Sequence, residues 1–112
     1  MNTEVGMFAC IGYKFTSKDN SGEVVGRARL YILDNDLHER PFGLLEDVFV
    51  EEASRGQGLA NLLVKQIFYY ANKAGCYKLI ATSRDDGTRE EVHAWYLRLG
   101  FVDYGTEFRL NL

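Results

Sequence analysis

The sequence predicts a single mixed α/β domain over residues 1–112, and three observations carry that expectation. Before residue 50 the apolar residues alternate with polar ones, which is the period of half-buried strands. After "RGQG" the period lengthens to three and four, which is the spacing of a helix face. A short apolar run, "CYKLIATS", then follows that helix, so a strand, a helix and a strand succeed one another as in a parallel crossover. The expected order is an antiparallel meander, a crossover helix, a further strand, a second helix and a last strand or hairpin.

The first strand is expected over Met7 to Thr16, "MFACIGYKFT", which is rich in aromatic and β-branched residues. "SKDNSG" after it has the chemistry of a hairpin loop. In the second strand, Glu23 to Leu33, Arg27, Arg29 and Tyr31 alternate with Ala28, Leu30 and Ile32, giving one wet face and one apolar face. The third, Gly43 to Val50, reads "GLLEDVFV" and embeds two acids among apolar neighbours. Leu59, Leu62, Leu63, Ile67, Tyr70, Ala71 and Ala74 trace one helical face, with Gly75 placed for a left-handed cap. Cys76 to Ser83 suits a buried strand. Glu90 to Leu99 reads as a second helix with Val92, Trp95, Tyr96 and Leu99 on one side, stopped by Gly100. Phe101 to Leu112 closes the chain with strand-like aromatics.

The bulk composition narrows the function. The chain is 46% hydrophobic and 26% charged, the balance of an ordinary globular protein. At this length a folded chain hides roughly two-thirds of the surface it would otherwise expose, enough for one modest core. A net charge of −3 gives no electrostatic footprint for nucleic acid. No apolar run approaches a bilayer span, so no membrane insertion is expected. Cys10 and Cys76 lack metal-ligand spacing and read as small buried hydrophobes of a reduced, cytoplasmic compartment. The N-terminus has no basic region followed by a long apolar stretch, hence no secretory signal is expected.

"RGQGLA" is the stretch that points to chemistry. A helix begins with amides that have no partner inside the helix, and its dipole is positive there. Glycines let the backbone approach an anion, and an arginine adds a planar charged fork. The loop lacks the Gly-Lys-Ser/Thr of a nucleoside-triphosphate loop and the three glycines of a dinucleotide fingerprint. Gly56 and Gly58 taken alone favour a plain tight strand-to-helix turn.

From Gly43 to Phe101 the chain resembles the GNAT superfamily of acyl-CoA-dependent N-acetyltransferases, in a short form. "LEDVFVEEASRGQGLANLLV" is similar to the family's central strand and its Arg/Gln-x-x-Gly-x-Gly/Ala loop, here Arg55, Gly58 and Ala60. "YKLIATS" resembles the next strand. "REEVHAWYLRLGF" resembles a second signature, a helical tyrosine five residues before a Gly-aromatic end, here Tyr96, Gly100 and Phe101. The chain departs from the family at its start. The opening strand and two helices that wall the acceptor side are expected to be absent or reduced to Met1 to Gly6.

The resemblance implies acetyl-CoA as co-substrate, no metal, and a GNAT-like mixed sheet. Backbone amides of Val48, Phe49 and Val50 would hold the pantetheine and polarise the thioester. Backbone groups of Arg55, Gly56, Gln57, Gly58, Leu59 and Ala60 would hold the pyrophosphate. Tyr96 would hydrogen-bond or protonate the CoA sulfur. Glu46 and Asp47 are the candidates for taking the amine proton, each equally open to being a solvated or salt-bridged residue. Strand alternation places them on opposite faces. The implied reaction is acetyl transfer to a primary amine of a small molecule or a protein. The alternative is a catalytically inactive acyl-CoA sensor or partner subunit. A homodimer is expected to cover what the missing helices leave exposed. His93, one turn before Tyr96, reads as a surface residue, and Trp95, Tyr69 and Tyr70 as packing. Arg84 and Arg89, around "DDGT", read as parts of a solvated loop.

Overall fold

A computed structural model describes residues 1–83 and 86–112. The chain divides into two compact units, Met1–Ala81 and Thr82–Leu112.

The first unit holds strands β1 (Ile11–Lys18), β2 (Val24–Leu33), β3 (Phe42–Val50) and β4 (Leu79–Ala81), and helix α1 (Leu59–Lys73). The sheet order is β1-β2-β3-β4. β1, β2 and β3 pair antiparallel, and β4 joins β3 in parallel through α1. The meander and the crossover are thus both present, in the mixed α/β sheet expected for a GNAT-like fold.

Local chemistry explains the turns. In the β1–β2 hairpin, the Asp19 carboxylate accepts from the Ser21 amide at 2.9 Å, the Ser21 hydroxyl at 2.7 Å and the Glu23 amide at 3.0 Å. The Ser21 hydroxyl bond is the main cause that lowers the Asp19 carboxyl pKa. Gly22 turns at φ 88°. α1 ends as its glycine foretold. Gly75 is left-handed at φ 79°, its amide donates to Asn72, and the Cys76 amide donates to the Ala71 carbonyl at 3.0 Å.

The core lies between α1 and one sheet face. Ala28, Leu30 and Leu45 from the sheet meet Leu63, Val64, Ile67 and Ala71 from the helix, all buried. The helix comes close because Gly26 lacks a side chain, since a Cβ there would lie 3.4 Å from Leu63 Cδ1. Tyr70 packs against Tyr13 and Phe15 at ring distances of 5.1 and 5.3 Å. Leu62, expected on this face, is exposed, and Val64 takes the buried place.

The second unit contains α2 (Arg89–Leu99). Its Val92, Trp95, Tyr96 and Leu99 are half-buried, which matches the predicted stripe. Gly100 turns left-handed at φ 101°, with its amide on Leu97 and the Phe101 amide on the Tyr96 carbonyl at 3.0 Å. Both helices therefore close with the same glycine motif.

Four expectations need correction. β1 begins at Ile11 rather than Met7, because Ile11 pairs with Ile32 and β2 ends one residue later, leaving Met7 and Phe8 exposed with no ladder to join. β4 is three residues long and only half-buried at Leu79 and Ala81. Phe101 to Leu112 forms no strand. Its alternating Val102, Tyr104, Phe108, Leu110 and Leu112 are exposed, and the described residues of its unit contain no strand to pair with. Finally, Cys10 is exposed and Cys76 only half-buried. Burial, with Asp34 nearby, raises the Cys76 thiol pKa. Among the described residues, no helix is long and apolar enough to cross a membrane.

Candidate active site

The site is built where β3 leaves its neighbours. β4 pairs with β3 only from Gly43 to Leu45. From Glu46 to Val50 the edge of β3 on that side has no ladder partner among the described residues. Regular pairing with β2 breaks at the same place. Arg29 faces Glu46 and Arg27 faces Phe49, so Asp47 and Val48 together oppose Ala28. This is a β-bulge, and Asp47 sits in it at φ 56°, a left-handed conformation that aspartate tolerates better than most residues.

The bulge overturns the expectation that Glu46 and Asp47 point to opposite faces. Strict alternation fails where an extra residue is inserted. Both carboxylates line one open depression of about 580 Å³, together with Arg29, Tyr31, Leu33 and Leu44. Both are exposed. They lie on the sheet face away from α1, because Arg29 and Tyr31 alternate with Ala28 and Leu30, which are buried under the helix.

Asp47 is also engaged. Arg27 donates from Nε to Oδ2 at 2.9 Å and from Nη2 to Oδ1 at 3.2 Å, a bidentate pair. The same guanidinium lies 4.8 Å from the centre of the Phe49 ring, and the Arg55 guanidinium lies 5.8 Å from it. Arg55 Nε donates to the Val50 carbonyl at 2.9 Å.

Beyond Val50 a 3-10 turn, Glu52–Ser54, leads into the glycine loop. Gly56 and Gly58 are left-handed at φ 79° and 77°. A Cβ on either would meet nothing within 4 Å. The two glycines are thus required by their dihedral angles and not by crowding, and the space before the helix is open. Gly58 is the N-cap of α1, with no side-chain cap and no acid in the first turn. The amides that start a helix, here from Leu59 and Ala60 onward, together with the dipole, make this end suited to an anion. Gln57 is exposed beside them. Arg55 departs from the expected free fork, since part of its guanidinium is spent on Val50.

In the second unit, Tyr96 donates its hydroxyl to the Thr82 carbonyl at 3.2 Å. Its ring stacks on Trp95 at 5.2 Å and leans on Phe101 at 5.3 Å. His93 is half-buried rather than a surface residue. Arg84 lies outside the described residues. Among the described residues, no group of three His, Cys, Asp or Glu side chains could hold a metal ion.

Sequence reasoning missed Arg27, which it placed only on a wet strand face. The available signal was an aspartate inside a strand, where that residue is disfavoured unless a bulge accommodates it.

Comparisons with known proteins identify the family. The sequence model of the Acetyltransferase (GNAT) family matches residues 7–101. A glucosamine 6-phosphate N-acetyltransferase of Trypanosoma brucei brucei is 33% identical over 93 residues, 82% of this chain and 60% of that protein. Glucosamine 6-phosphate N-acetyltransferase 1 of Oryza sativa subsp. japonica is 34% identical over 68 residues, 61% of this chain and 38% of that protein. The chain thus spans less than two-thirds of these relatives' lengths. A crystal structure of a Trypanosoma brucei acetyltransferase superposes with a TM-score of 0.81 at 29% identity, covering 90% of this chain and 69% of that one. The half-unpaired bulged strand, the open glycine loop and the family match over residues 7–101 lead to one assignment: this chain belongs to the acetyltransferase (GNAT) family.

Proposed function

We propose that this chain transfers an acetyl group from acetyl-CoA to a primary amine by direct attack on the thioester. The observation that carries the reading is the uncapped start of α1 soon after a strand whose last residues, Glu46 to Val50, lack a neighbour on one side among the described residues. An anion at the glycine loop and an extended thioester arm along that free edge are what such a pair of features would hold.

The chemistry follows from the residues. The amine nitrogen attacks the thioester carbon, its proton leaves to a carboxylate directly or through water, and the carbon–sulfur bond breaks to release the CoA thiolate. Glu46 suits the acceptor of that proton, because both oxygens of Asp47 already accept from Arg27. Main-chain amides of Val48 to Val50 would stabilise the charge growing on the carbonyl oxygen. Tyr96 would donate a hydrogen bond to the departing sulfur. A phenol with a pKa of about 10 gives up its proton only uphill to a thiolate of about 8.5, so a hydrogen bond suffices where full transfer is costly. Holding amine and thioester in line supplies much of the rate.

The named activities of the relatives favour turnover over an inactive sensor, and they suggest an amino-sugar phosphate as the first acceptor to try. Arg29 would place a cation in the depression beside Glu46. The exposed Val5, Met7, Phe8, Val102, Tyr104 and Phe108 support a homodimer as the working assembly. The test is acetyl-CoA consumption with glucosamine 6-phosphate, polyamines and peptides, beside calorimetry with CoA. Micromolar CoA binding and turnover of at least one amine are expected. A flat titration and no consumption would overturn the reading.

A further inference from the structure

We infer that Arg27 is a positioning residue for the reacting end of this site: its grip on Asp47 and Phe49 sets the shape of the β3 bulge and, with it, the direction of the open β3 edge from Val48 to Val50. The inference rests on the proposed acetyl transfer and concerns how that site is kept in shape.

The argument starts from the backbone. Asp47 is the described non-glycine residue with positive φ, at 56°. A strained residue inside a strand persists where its surroundings over-determine it. Here the surroundings are Arg27. It stands on β2 beside the break in register, between Gly26 opposite Val50 and Arg29 opposite Glu46. Its planar fork takes both oxygens of Asp47, and its face covers the Phe49 ring at 4.8 Å. One side chain thus holds both flanks of the bulge, the residue before Val48 and the residue after it.

The grip continues to the glycine loop. Phe49 lies near two guanidiniums, Arg27 at 4.8 Å and Arg55 at 5.8 Å, and Arg55 in turn holds the Val50 carbonyl. The pair sits at the surface, with side-chain exposures of 45% and 38%, so its worth to global stability is small. Its worth is local, because a bulge that relaxed to regular pairing would turn Val48 and its amide toward β2. A lysine would keep the charge and lose the fork and the planar face.

The test combines Arg27→Ala and Arg27→Lys with Asp47→Gly, in which glycine accepts the left-handed dihedral without help. For the full chain, Arg27→Ala should lower kcat/KM for acetyl-CoA about tenfold or more with little change in Tm. Arg27→Lys should stay close to Arg27→Ala. In the Asp47→Gly background, Arg27→Ala should add almost nothing. Equal losses in both backgrounds, or full rescue by lysine, would overturn the inference. Amide hydrogen exchange of the CoA-free protein gives a second readout. Arg27→Ala should speed exchange over residues 46–50 and leave β1 unchanged, and no such rise overturns the latch. A chain that neither bound CoA nor turned over would refute the proposed function, and exchange over 46–50 would then decide the role of Arg27 by itself.

Discussion

Arg55 Nε donates to the Val50 carbonyl at 2.9 Å, tying the first residue of the glycine loop back to the last residue of β3. The strand that would carry the thioester arm and the loop that would carry the pyrophosphate are joined through this bond. Arg55→Ala removes the anchor and a cation together. A hydrogen bond from a charged donor contributes about 1.5–3 kcal/mol, less at a partly exposed site, so CoA affinity should fall about tenfold. Arg55→Lys keeps the charge without the Nε geometry and should recover only part of the loss. Calorimetry of both variants checks this; equal affinity for Arg55→Ala and the unaltered chain would show that the bond does not organise the loop.

Gly58 meets the same loop through its dihedral angle alone. At φ 77° with open space around its missing Cβ, it is replaceable sterically but not conformationally. Gly58→Ala should cost about 1–2 kcal/mol and lower Tm by roughly 4–8 °C or more, because an L-residue is strained there. Gly58→Asn should cost less, since asparagine enters the left-handed region more readily. Thermal unfolding of the three proteins gives the order, and an alanine variant as stable as the parent would remove the dihedral argument.

The parts read correctly from sequence are those whose cause is local. Gly75 and Gly100 follow runs of helical spacing, and a left-handed residue was the way for each helix to end. "SKDNSG" carried its turn in the Asp19 side chain. The bulge was hard to place because the adjacent acids of "LLEDVFV" interrupt the alternation without saying which residue is extra, and its register against β2 is what locates it. Arg27 finds its partner 20 positions away, beyond any local pattern. Alternation from Val102 to Leu112 misled for a related reason. It is necessary for a half-buried strand and not sufficient, since a strand also needs a neighbour to satisfy its backbone.

Gly43 marks the joint where β4 is added to the sheet. A Cβ there would lie 2.8 Å from Leu79 Cδ1 and 3.1 Å from Leu30 Cδ1. Leu79 is half-buried and has some room, whereas Leu30 is fully buried. Gly43→Ala should therefore destabilise by about 1–3 kcal/mol through overpacking. Urea unfolding checks this with a lower midpoint and an unchanged slope. A neutral result would mean that β4 shifts along its short pairing without cost.

Cys76 makes a pH-dependent contribution. Burial first, then the Asp34 charge, raise its thiol pKa in the folded chain. The folded state therefore holds the proton more tightly than the unfolded one. Stability from this group is fully present below the unfolded thiol pKa and is lost as pH rises through the folded value. Between pH 8 and 10 the parent should lose stability more steeply than Cys76→Ala, in denaturant titrations at each pH. Iodoacetamide should label the exposed Cys10 before Cys76, as mass spectrometry would show.

Tyr96 separates an enzyme from a chain that only binds acyl-CoA. Its ring is held by Trp95 and Phe101 at 5.2 and 5.3 Å, contacts that phenylalanine keeps. Its hydroxyl donates to the Thr82 carbonyl at a long 3.2 Å, a bond weak enough to be exchanged for a stronger acceptor such as a thiolate. Tyr96→Phe removes the donor and little else. If the hydroxyl serves the departing sulfur, kcat should fall about 10–100-fold, since the interaction forms as charge develops. The dissociation constant for CoA should stay within about twofold, because the neutral thiol asks little of the phenol. Steady-state kinetics beside calorimetry measure the two effects separately. An unchanged kcat would take Tyr96 out of the chemistry, and a parallel loss of affinity would make it a binding residue instead.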